Sequence, residues 1–322
     1  MVGGGLRLMG SCGDAGFAAL SAGGIGLSFD AVRLKHLEVR SKLFVSGARP
    51  ELFAKAGAGE ADALSFDLED SVPVAGKEKA RLAVAEFLAG AGKTCDKIKI
   101  VRVNSLASGL FAEDVEKILA HGIDTINLPK AESRDDVLRA VEELERRERS
   151  IGLTSPVGIL ANIETPKGLR MAFEIASAHP RVVGLQIGMV DFTLSCGIAS
   201  GNRAALNAVR LAVRFAASEA GIAAFDGAFG KVNEPEGYRA EAEEARALGM
   251  NGKSCIHPSQ VPIANEVFMP TAQEIEHAEK MIAAAEQAEA KGVGAFLFGG
   301  AMVDLPVLER ARRVVARAGR RG

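Results

Sequence analysis

Residues 63–90 read ALSFDLEDSVPVAGKEKARLAVAEFLAG. It begins with a short apolar run and then places three acids, Asp67, Glu69 and Asp70, within four positions. Its second half carries apolar residues at helical spacing and ends in a glycine, as many helices do. The stretch therefore predicts one β-strand that ends in acids and is followed by one helix.

The same strand-then-helix pattern recurs along the chain from residue 39. The β-like runs are 42–47, 63–70, 98–104, 125–133, 157–165, 182–192, 223–230 and 252–258. Amphipathic segments between them predict right-handed βαβ units and a parallel sheet. Eight such units over ~220 residues favour an α/β fold of the (β/α)8 (TIM) barrel type. A doubly wound sheet is the alternative, although no G-x-G-x-x-G follows the first run.

Composition limits the classes of partner. The 322 residues carry a net charge of −2 with acids and bases interspersed, so we expect no nucleic acid and no membrane as partners. Charges or glycines interrupt the apolar runs short of the ~20 residues that span a bilayer. The four cysteines are far apart and lack C-x-x-C spacing, which is typical of reduced thiols in a cytoplasmic protein.

The pattern divides the chain into three parts. Residues 1–38 are rich in Gly, Ala and Ser, and we expect a loosely ordered extension there. Residues 39–270 contain the eight units of the barrel. Residues 271–322 predict a C-terminal helical extension with a short β-like run and a Gly turn. This extension is too small to fold alone, so we expect it to pack on the barrel or on a neighbouring subunit.

Glu164 and Asp191 are the candidate metal ligands. Each lies at the end of a predicted barrel strand, and the carboxyl ends of barrel strands converge on one active-site face. Two carboxylates with open coordination positions suit Mg²⁺ or Mn²⁺. The alternative is that both acids are solvated or belong to a salt bridge.

Other polar residues at the strand ends have two interpretations each. Arg102 is either a clamp for a substrate oxygen or the partner of Asp67 or Glu69 in an ion pair. Lys130 could form a Schiff base, although ion pairing is favoured because acids crowd the same edge. His257 is either a base or a structural hydrogen-bonding residue. We expect Asp67, Glu69, Lys130 and His257 to support the groups that touch substrate and metal.

Eight motifs together resemble one known family. They are RSKLFVSG, SFDLEDSV, KIVRVN, LPKAES, NIETPKGL, GLQIGMVDF, GKSCIHPSQ and GAMVDLPVLERARR, in order over residues 40–318. The set resembles the citrate lyase β-subunit-like (CitE-like) branch of the HpcH/HpaI aldolase family. The resemblance implies a Mg²⁺-dependent (β/α)8 barrel that is a homotrimer or homohexamer. It also implies chemistry on C–C bonds between an acyl-CoA unit and a 2-oxo acid.

The resemblance also implies a role for individual residues. Glu164 and Asp191 would hold Mg²⁺, with Glu164 also close to the substrate. Arg102 would contact the thioester or carboxylate oxygens of the substrate, and Lys55 would contact CoA. Asp304 would reach into the neighbouring subunit's site as the acid/base at the acyl methyl group.

Three positions depart from the family pattern. Ser46 stands where the family usually has Pro, Glu51 where it often has a basic residue, and Ala301 where it commonly has Lys. These positions lie in or near the expected CoA contacts, so the carrier could be CoA or an acyl carrier protein.

The sequence leads to one expected function and two alternatives. The first expectation is a retro-Claisen lyase acting on malyl-, citramalyl- or citryl-thioesters. The alternatives are a metal-dependent aldolase or hydrolase for a free hydroxy-oxo acid, and a non-catalytic subunit that docks an acyl carrier.

Overall fold

Eight parallel strands form a closed barrel in the computed structural model, which describes residues 26–199, 201–290 and 292–319. The strands are β1 (Ser41–Ser46), β2 (Ala63–Asp67), β3 (Ile98–Arg102), β4 (Thr125–Leu128), β5 (Gly158–Ile163), β6 (Val182–Ile187), β7 (Ala223–Asp226) and β8 (Gly252–Cys255). Each strand pairs with the next, and β1 also pairs with β8 through Ser41 opposite Lys253. This closure confirms the predicted barrel and excludes the doubly wound sheet.

Helices precede the barrel strands, alternate with them and follow them in the chain. They are α1 (Gly26–Leu37), α2 (Phe53–Gly57), α3 (Lys77–Ala89), α4 (Phe111–Ile118), α5 (Arg134–Ile151), α6 (Pro166–Arg170), α7 (Ala172–Ala176), α8 (Met189–Ser195), α9 (Arg203–Glu219), α10 (Pro235–Ala247), α11 (Gln260–Val267), α12 (Ala272–Glu289) and α13 (Leu305–Gly319). Within the described ranges, none combines the length and apolarity that crossing a membrane would require.

The strands end earlier than their sequence patterns predict. The run predicted as strand 182–192 stops at Ile187, and α8 begins after Gly188, whose carbonyl accepts the hydrogen bond of Phe192 N–H. Asp191 is therefore in the first turn of a helix and not on a strand. In the same way β2 stops at Asp67, which leaves Asp70 in the following turn.

Two apolar layers hold the barrel together. The larger layer lies between the strands and the surrounding helices. The smaller layer lies inside the barrel and includes Ala63, Ile100, Leu160 and Phe225, all fully buried. Val39, which precedes β1, belongs to the same inner cluster. The inner layer therefore fills the end of the barrel at which the strands begin.

Helix α1 corrects the expectation for the start of the chain. Residues 26–37, which the sequence assigned to a loosely ordered extension, are helical, while residues 1–25 lie outside the described part of the chain. Phe29 and His36 on this helix are buried. His36 bonds Thr125 Oγ1 at the start of β4 (Nε2 to Oγ1, 3.1 Å). The helix forms because it covers apolar residues at the barrel's end, and local composition does not reveal that requirement.

The C-terminal part forms a hairpin between two helices. Strands β9 (Phe296–Phe298) and β10 (Ala301–Val303) pair antiparallel, and α12 packs on α13. An ion pair between Arg246 and Glu274 (2.6 Å) connects α10 to α12. Leu297, Met302 and Leu305 are 73%, 64% and 60% exposed in the single chain. The hairpin therefore presents an apolar surface around Asp304.

Candidate active site

The alternation of side chains along each strand decides which polar groups face the inside of the barrel. Residues two or four positions beyond a residue of the inner apolar layer share its face. Those residues are Asp67 on β2, Arg102 on β3, and Asn162 and then Glu164 at the end of β5. They lie at the end of the barrel where the strands stop, which is where barrel enzymes place their active sites.

These side chains line one pocket at the barrel mouth. The pocket has a volume of about 500 Å³. Asp67, Arg102, Glu164 and Asp191 all contribute to its wall. Three strand ends and the first turn of α8 thus bring together residues that are up to 124 positions apart in the sequence, from Asp67 to Asp191.

Arg102 is the centre of an ion-pair network. Its Nε and Nη2 donate to the two carboxylate oxygens of Asp67, each at 2.7 Å. Its Nη1 lies 3.1 Å from Glu69 Oε2 and 3.4 Å from Asp70 Oδ2. The ion pair that the sequence left open is therefore present. Strand alternation would have pointed Asp70 away from Asp67 and Glu69, but β2 has already ended, so all three acids reach one guanidinium.

Burial and ion pairing have opposite effects on the pKa values of Asp67 and Arg102. Burial disfavours both charged forms, but the hydrogen bonds and the charge attraction between Arg102 and its neighbouring acids together outweigh it. They hold the pKa of Asp67 below its ordinary value and raise the pKa of Arg102. The guanidinium side chain remains 14% exposed. A permanent positive charge therefore borders the pocket, and the acids behind it fix its position.

Lys130 connects the network to Glu164. Its Nζ donates to Glu69 Oε1 at 2.9 Å, and its backbone N–H donates to Glu164 Oε2 at 3.2 Å. Lys130 also has a φ of 52°, an uncommon left-handed conformation for a residue other than glycine. The hydrogen bond to Glu69 raises the pKa of Lys130. A protonated amine is a poor nucleophile, so the geometry favours ion pairing over a Schiff base.

Glu164 is a carboxyl group in an environment that opposes its charge. Burial, followed by the charge of Glu69, raises the pKa of Glu164 to about 7. A hydrogen bond from Asn162 Nδ2 to Glu164 Oε1 (2.8 Å) acts in the opposite direction. A Cβ at Gly188 would lie 2.4 Å from the Cγ of Glu164. The absence of a side chain at residue 188 therefore makes room for this carboxylate.

Glu164 and Asp191 together fit a hard divalent cation. Both line the pocket, and the charge of Asp191 contributes to the raised pKa of Glu164. Among residues 26–199, 201–290 and 292–319 there is no group of three or more His, Cys, Asp or Glu side chains that could hold a metal. Mg²⁺ is commonly held by one or two carboxylates and completes its shell with water and substrate oxygens. Two carboxylates beside an open pocket meet that requirement.

A second concave surface adjoins the mouth pocket. This groove has a volume of about 670 Å³ and shares Phe44, Ser46 and Ile256 with the pocket. Lys55, exposed on α2, lines the groove, as the resemblance requires of a CoA contact. His257 lines the groove too.

His257 lies beside the groove. It is exposed, and its Nδ1 is 2.8 Å from Ser259 Oγ. This contact agrees with a structural hydrogen-bonding residue, and support of the metal site by His257 stays a prediction. Strand β8 ends at Cys255, and the two residues that follow carry the chain outward, so His257 faces the groove and not the mouth pocket.

Asp304 lies outside the pocket of its own chain. It is exposed between β10 and α13, and its Oδ1 accepts a hydrogen bond from Val307 N–H at 3.3 Å. It is not among the residues that line the mouth pocket. Any part that Asp304 plays at a barrel mouth therefore requires a neighbouring subunit.

Asn162 had no place among the sequence candidates, and the sequence did not predict that Gly188 would contact Glu164. Asn162 contacts Glu164, and Gly188 leaves the space that Glu164 fills. Asn162 could have been found, because it lies two residues before Glu164 on the same strand face. Gly188 had no such signal, because its neighbour in space is 24 residues away in sequence.

The fold and the site together describe a (β/α)8 barrel whose mouth pocket is lined by two carboxylates, Glu164 and Asp191, and by the charged Arg102. Residues 40–258 match the family described as HpcH/HpaI aldolase/citrate lyase, and the chain belongs to that family.

Three relatives show the extent of the similarity. Citrate lyase subunit beta of Escherichia coli is 38% identical over 281 residues, which cover 87% of this chain and 93% of the relative. L-malyl-CoA/beta-methylmalyl-CoA lyase of Cereibacter sphaeroides is 34% identical, covering 87% and 94%. The crystal structure of CitE from Mycobacterium tuberculosis in complex with magnesium, acetoacetate and coenzyme A matches with a TM-score of 0.73. It is 34% identical, covering 87% of this chain and 97% of that one.

Proposed function

We propose that this protein is a Mg²⁺-dependent carbon–carbon lyase acting on a 3-hydroxyacyl thioester. The reaction is a retro-Claisen cleavage to an acetyl thioester and a 2-oxo acid, or the reverse condensation. One observation carries the proposal: Arg102, Glu164 and Asp191 surround a pocket that opens into a groove lined by Lys55. The relatives are consistent with it, since they include a citrate lyase subunit and a malyl-CoA lyase.

Glu164 and Asp191 are the residues that would hold the metal. When bound, Mg²⁺ would supply a Lewis acid for the oxygens of the 2-oxo-acid half of the substrate. The protein pairs the two nearby basic side chains with acids other than the proposed ligands. Arg102 donates hydrogen bonds to Asp67, and Lys130 Nζ donates one to Glu69.

Arg102 would stabilise the charge that forms during cleavage. The bond between the hydroxyl-bearing carbon and the thioester α-carbon breaks, and its electron pair moves into the thioester as an enolate. The hydroxyl passes its proton to solvent as its carbon becomes the new carbonyl carbon, and the enolate carbon takes up one proton in turn. A fixed cation beside the enolate oxygen lowers the energy of this state. Asp67 holds Arg102 in place before the reaction, so little reorganisation is needed.

Asp304 would return a proton to the enolate carbon from the neighbouring subunit. Its hairpin exposes Leu297, Met302 and Leu305 in the single chain. Exposed apolar surface of this kind is typical of a contact with another protein. We therefore propose a homotrimer or homohexamer in which each hairpin completes the next subunit's site.

Subunit mixing tests this arrangement. Arg102→Met and Asp304→Ala should each be inactive, whereas a hybrid oligomer should contain some sites with both residues intact. Random mixing at equal amounts restores about a quarter of the sites in a cyclic oligomer. Arg102→Met mixed with Glu164→Gln is the control and should stay inactive, because both residues belong to the same barrel mouth. No recovery in the first mixture would refute a site shared between subunits.

A panel of substrates tests the reaction itself. The protein with Mg²⁺ is incubated with malyl-, citramalyl- and citryl-CoA, and free 2-oxo acid is measured. We expect turnover of at least one thioester, and none by Glu164→Gln. The competing function is cleavage of a free hydroxy-oxo acid. The pairing of Arg49 with Glu51, which offsets a positive charge in the groove, favours that alternative. Cleavage of the free acid with no thioester turnover would reject our proposal.

A further inference from the structure

We propose that Asn127 and Asn162 are positioning residues that form an amide relay and orient Glu164 for metal binding. This inference rests on the proposed metal site and adds two residues behind it. Neither asparagine was a candidate on sequence grounds. Both lie inside the barrel beneath the mouth, where Asn127 is 0% and Asn162 is 1% exposed.

Three hydrogen bonds define the relay. Asn127 Nδ2 donates to the backbone carbonyl of Leu160 at 2.9 Å and to Asn162 Oδ1 at 2.7 Å. Asn162 Nδ2 then donates to Glu164 Oε1 at 2.8 Å. The bonds connect β4 to β5, and they run from the backbone of β5 to the carboxylate that follows it.

The direction of the relay follows from donor and acceptor chemistry. A backbone carbonyl can only accept, so Asn127 must turn its NH₂ group toward Leu160. The same NH₂ group then requires the oxygen of Asn162 as its second acceptor. The amide of Asn162 consequently turns its own NH₂ toward Glu164. Reversing either amide would place two acceptors against each other, so the orientation at Glu164 is decided two side chains away.

The relay restrains a ligand without cancelling its charge. Glu164 Oε1 accepts from Asn162, Oε2 accepts from Lys130 N–H, and the side chain of Glu164 lies where a Cβ at Gly188 would clash with it. Both donors to the carboxylate are neutral amide groups. A lysine or arginine in the place of Asn162 would hold the carboxylate equally well but would repel a cation. Neutral donors that fix a carboxylate are typical of residues behind a metal ligand.

An unsatisfied group supports a role beyond packing. Asn127 Oδ1 is buried and has no hydrogen-bond partner among the described residues. A buried acceptor without a partner generally destabilises a fold. Apolar side chains such as Ile100 fill the barrel interior nearby without that cost. An amide at residue 127 is thus explained by what its NH₂ group does for Asn162.

The affinity of the metal-free protein for Mg²⁺, measured by calorimetry, tests the relay. Loss of a residue behind a metal ligand commonly weakens binding by about 10–100-fold. We expect a weakening in that range for Asn162→Ala and a weakening of several-fold or more for Asn127→Ala, which does not touch Glu164. The double variant should bind no more weakly than Asn162→Ala, because the relay is already broken. Ser65→Ala is the matched control, since Ser65 is fully buried and its Oγ has no partner to lose.

The outcomes separate the relay from the metal site. Unchanged affinity in Asn127→Ala, or additive losses in the double variant, would overturn the relay. Glu164→Gln is the reference: if it also binds Mg²⁺ normally, the metal site itself is wrong and the relay falls with it. If Asn127→Ala does not fold, Asn127→Ser is tested in its place, and the same weakening of Mg²⁺ binding is expected. Thermal unfolding of each metal-free variant shows whether a loss of affinity is a loss of folding.

Discussion

The affinity for Mg²⁺ should depend steeply on pH near neutrality, because Glu164 must lose a proton before it binds the ion. Burial and the charge of Glu69 raise the pKa of Glu164 to about 7 in the metal-free protein. Such a group is about 90% ionised at pH 8 and about 10% ionised at pH 6. The apparent dissociation constant for Mg²⁺ should therefore increase about tenfold from pH 8 to pH 6.

Calorimetry in two buffers with different ionisation enthalpies measures both the affinity and the protons released. At pH 7 each bound ion should release about half a proton from Glu164. Glu164→Gln should bind more weakly and lose this dependence. Glu69→Gln should keep the pH dependence but move it to lower pH, because the charge of Glu69 contributes to the raised pKa of Glu164. The reasoning would be refuted if the Mg²⁺ affinity of wild type were constant between pH 6 and pH 8. It would also be refuted if the affinity of Glu164→Gln changed with pH as steeply as that of wild type.

The same raised pKa predicts a gain in stability when the carboxyl group is removed. The pKa of Glu164 is about 7 in the folded state and 4.5 in the unfolded state. The folded state keeps a proton that the unfolded state releases, so the free energy of unfolding falls as pH rises through this window. The full loss is on the order of 3 kcal/mol. Metal-free Glu164→Gln should therefore melt at a higher temperature than wild type at pH 8, and a lower melting temperature would contradict the assigned cause.

Two further changes probe the site and the far end of the barrel. Gly188→Ala should displace Glu164 and weaken Mg²⁺ binding, because the new Cβ would lie 2.4 Å from the Cγ of Glu164. A Cβ at Gly230 would have no heavy atom within 4 Å apart from those of its own residue and its two chain neighbours, so Gly230→Ala should bind Mg²⁺ as wild type does in the same titration. His36 is fully buried, which lowers its pKa from 6.5 to about 4. Since only the unfolded state gains a proton between these values, the free energy of unfolding should fall by on the order of 3 kcal/mol as pH drops through them. Denaturant unfolding of His36→Gln should show a smaller fall in the free energy of unfolding over this pH range than wild type does. An equal fall in the two proteins would show that His36 does not cause it.

Some of the site could be predicted residue by residue. Arg102 and Glu164 were found because each comes at the end of an apolar run, and parallel strands bring such ends to one face. Asp191 was found for the same reason, although it proved to lie on α8. The position of His257 beside the groove was not predicted, because it depends on how the chain turns after β8 and not on the strand pattern.

Other features depend on contacts that no local pattern contains. Helix α1 was not expected, since its role is to cover an apolar barrel end formed by residues far along the chain. The convergence of Asp67, Glu69 and Asp70 on Arg102 required β2 to end at Asp67. Asp304 was selected by resemblance alone. It does not line the mouth pocket of its own chain, so its proposed role depends on contact with a neighbouring subunit.

The sequence by itself determined the barrel and the face on which polar residues gather. Helical and strand periodicities are properties of short segments, and eight repetitions of one unit leave few ways to fold. Only the tertiary structure decided which groups touch. The parallel pairing of β4 with β5 joins Asn127 to Asn162. The bend after β6 brings Gly188 against Glu164. Those distances result from the packing of segments far apart in the chain, which periodicity within a segment cannot specify.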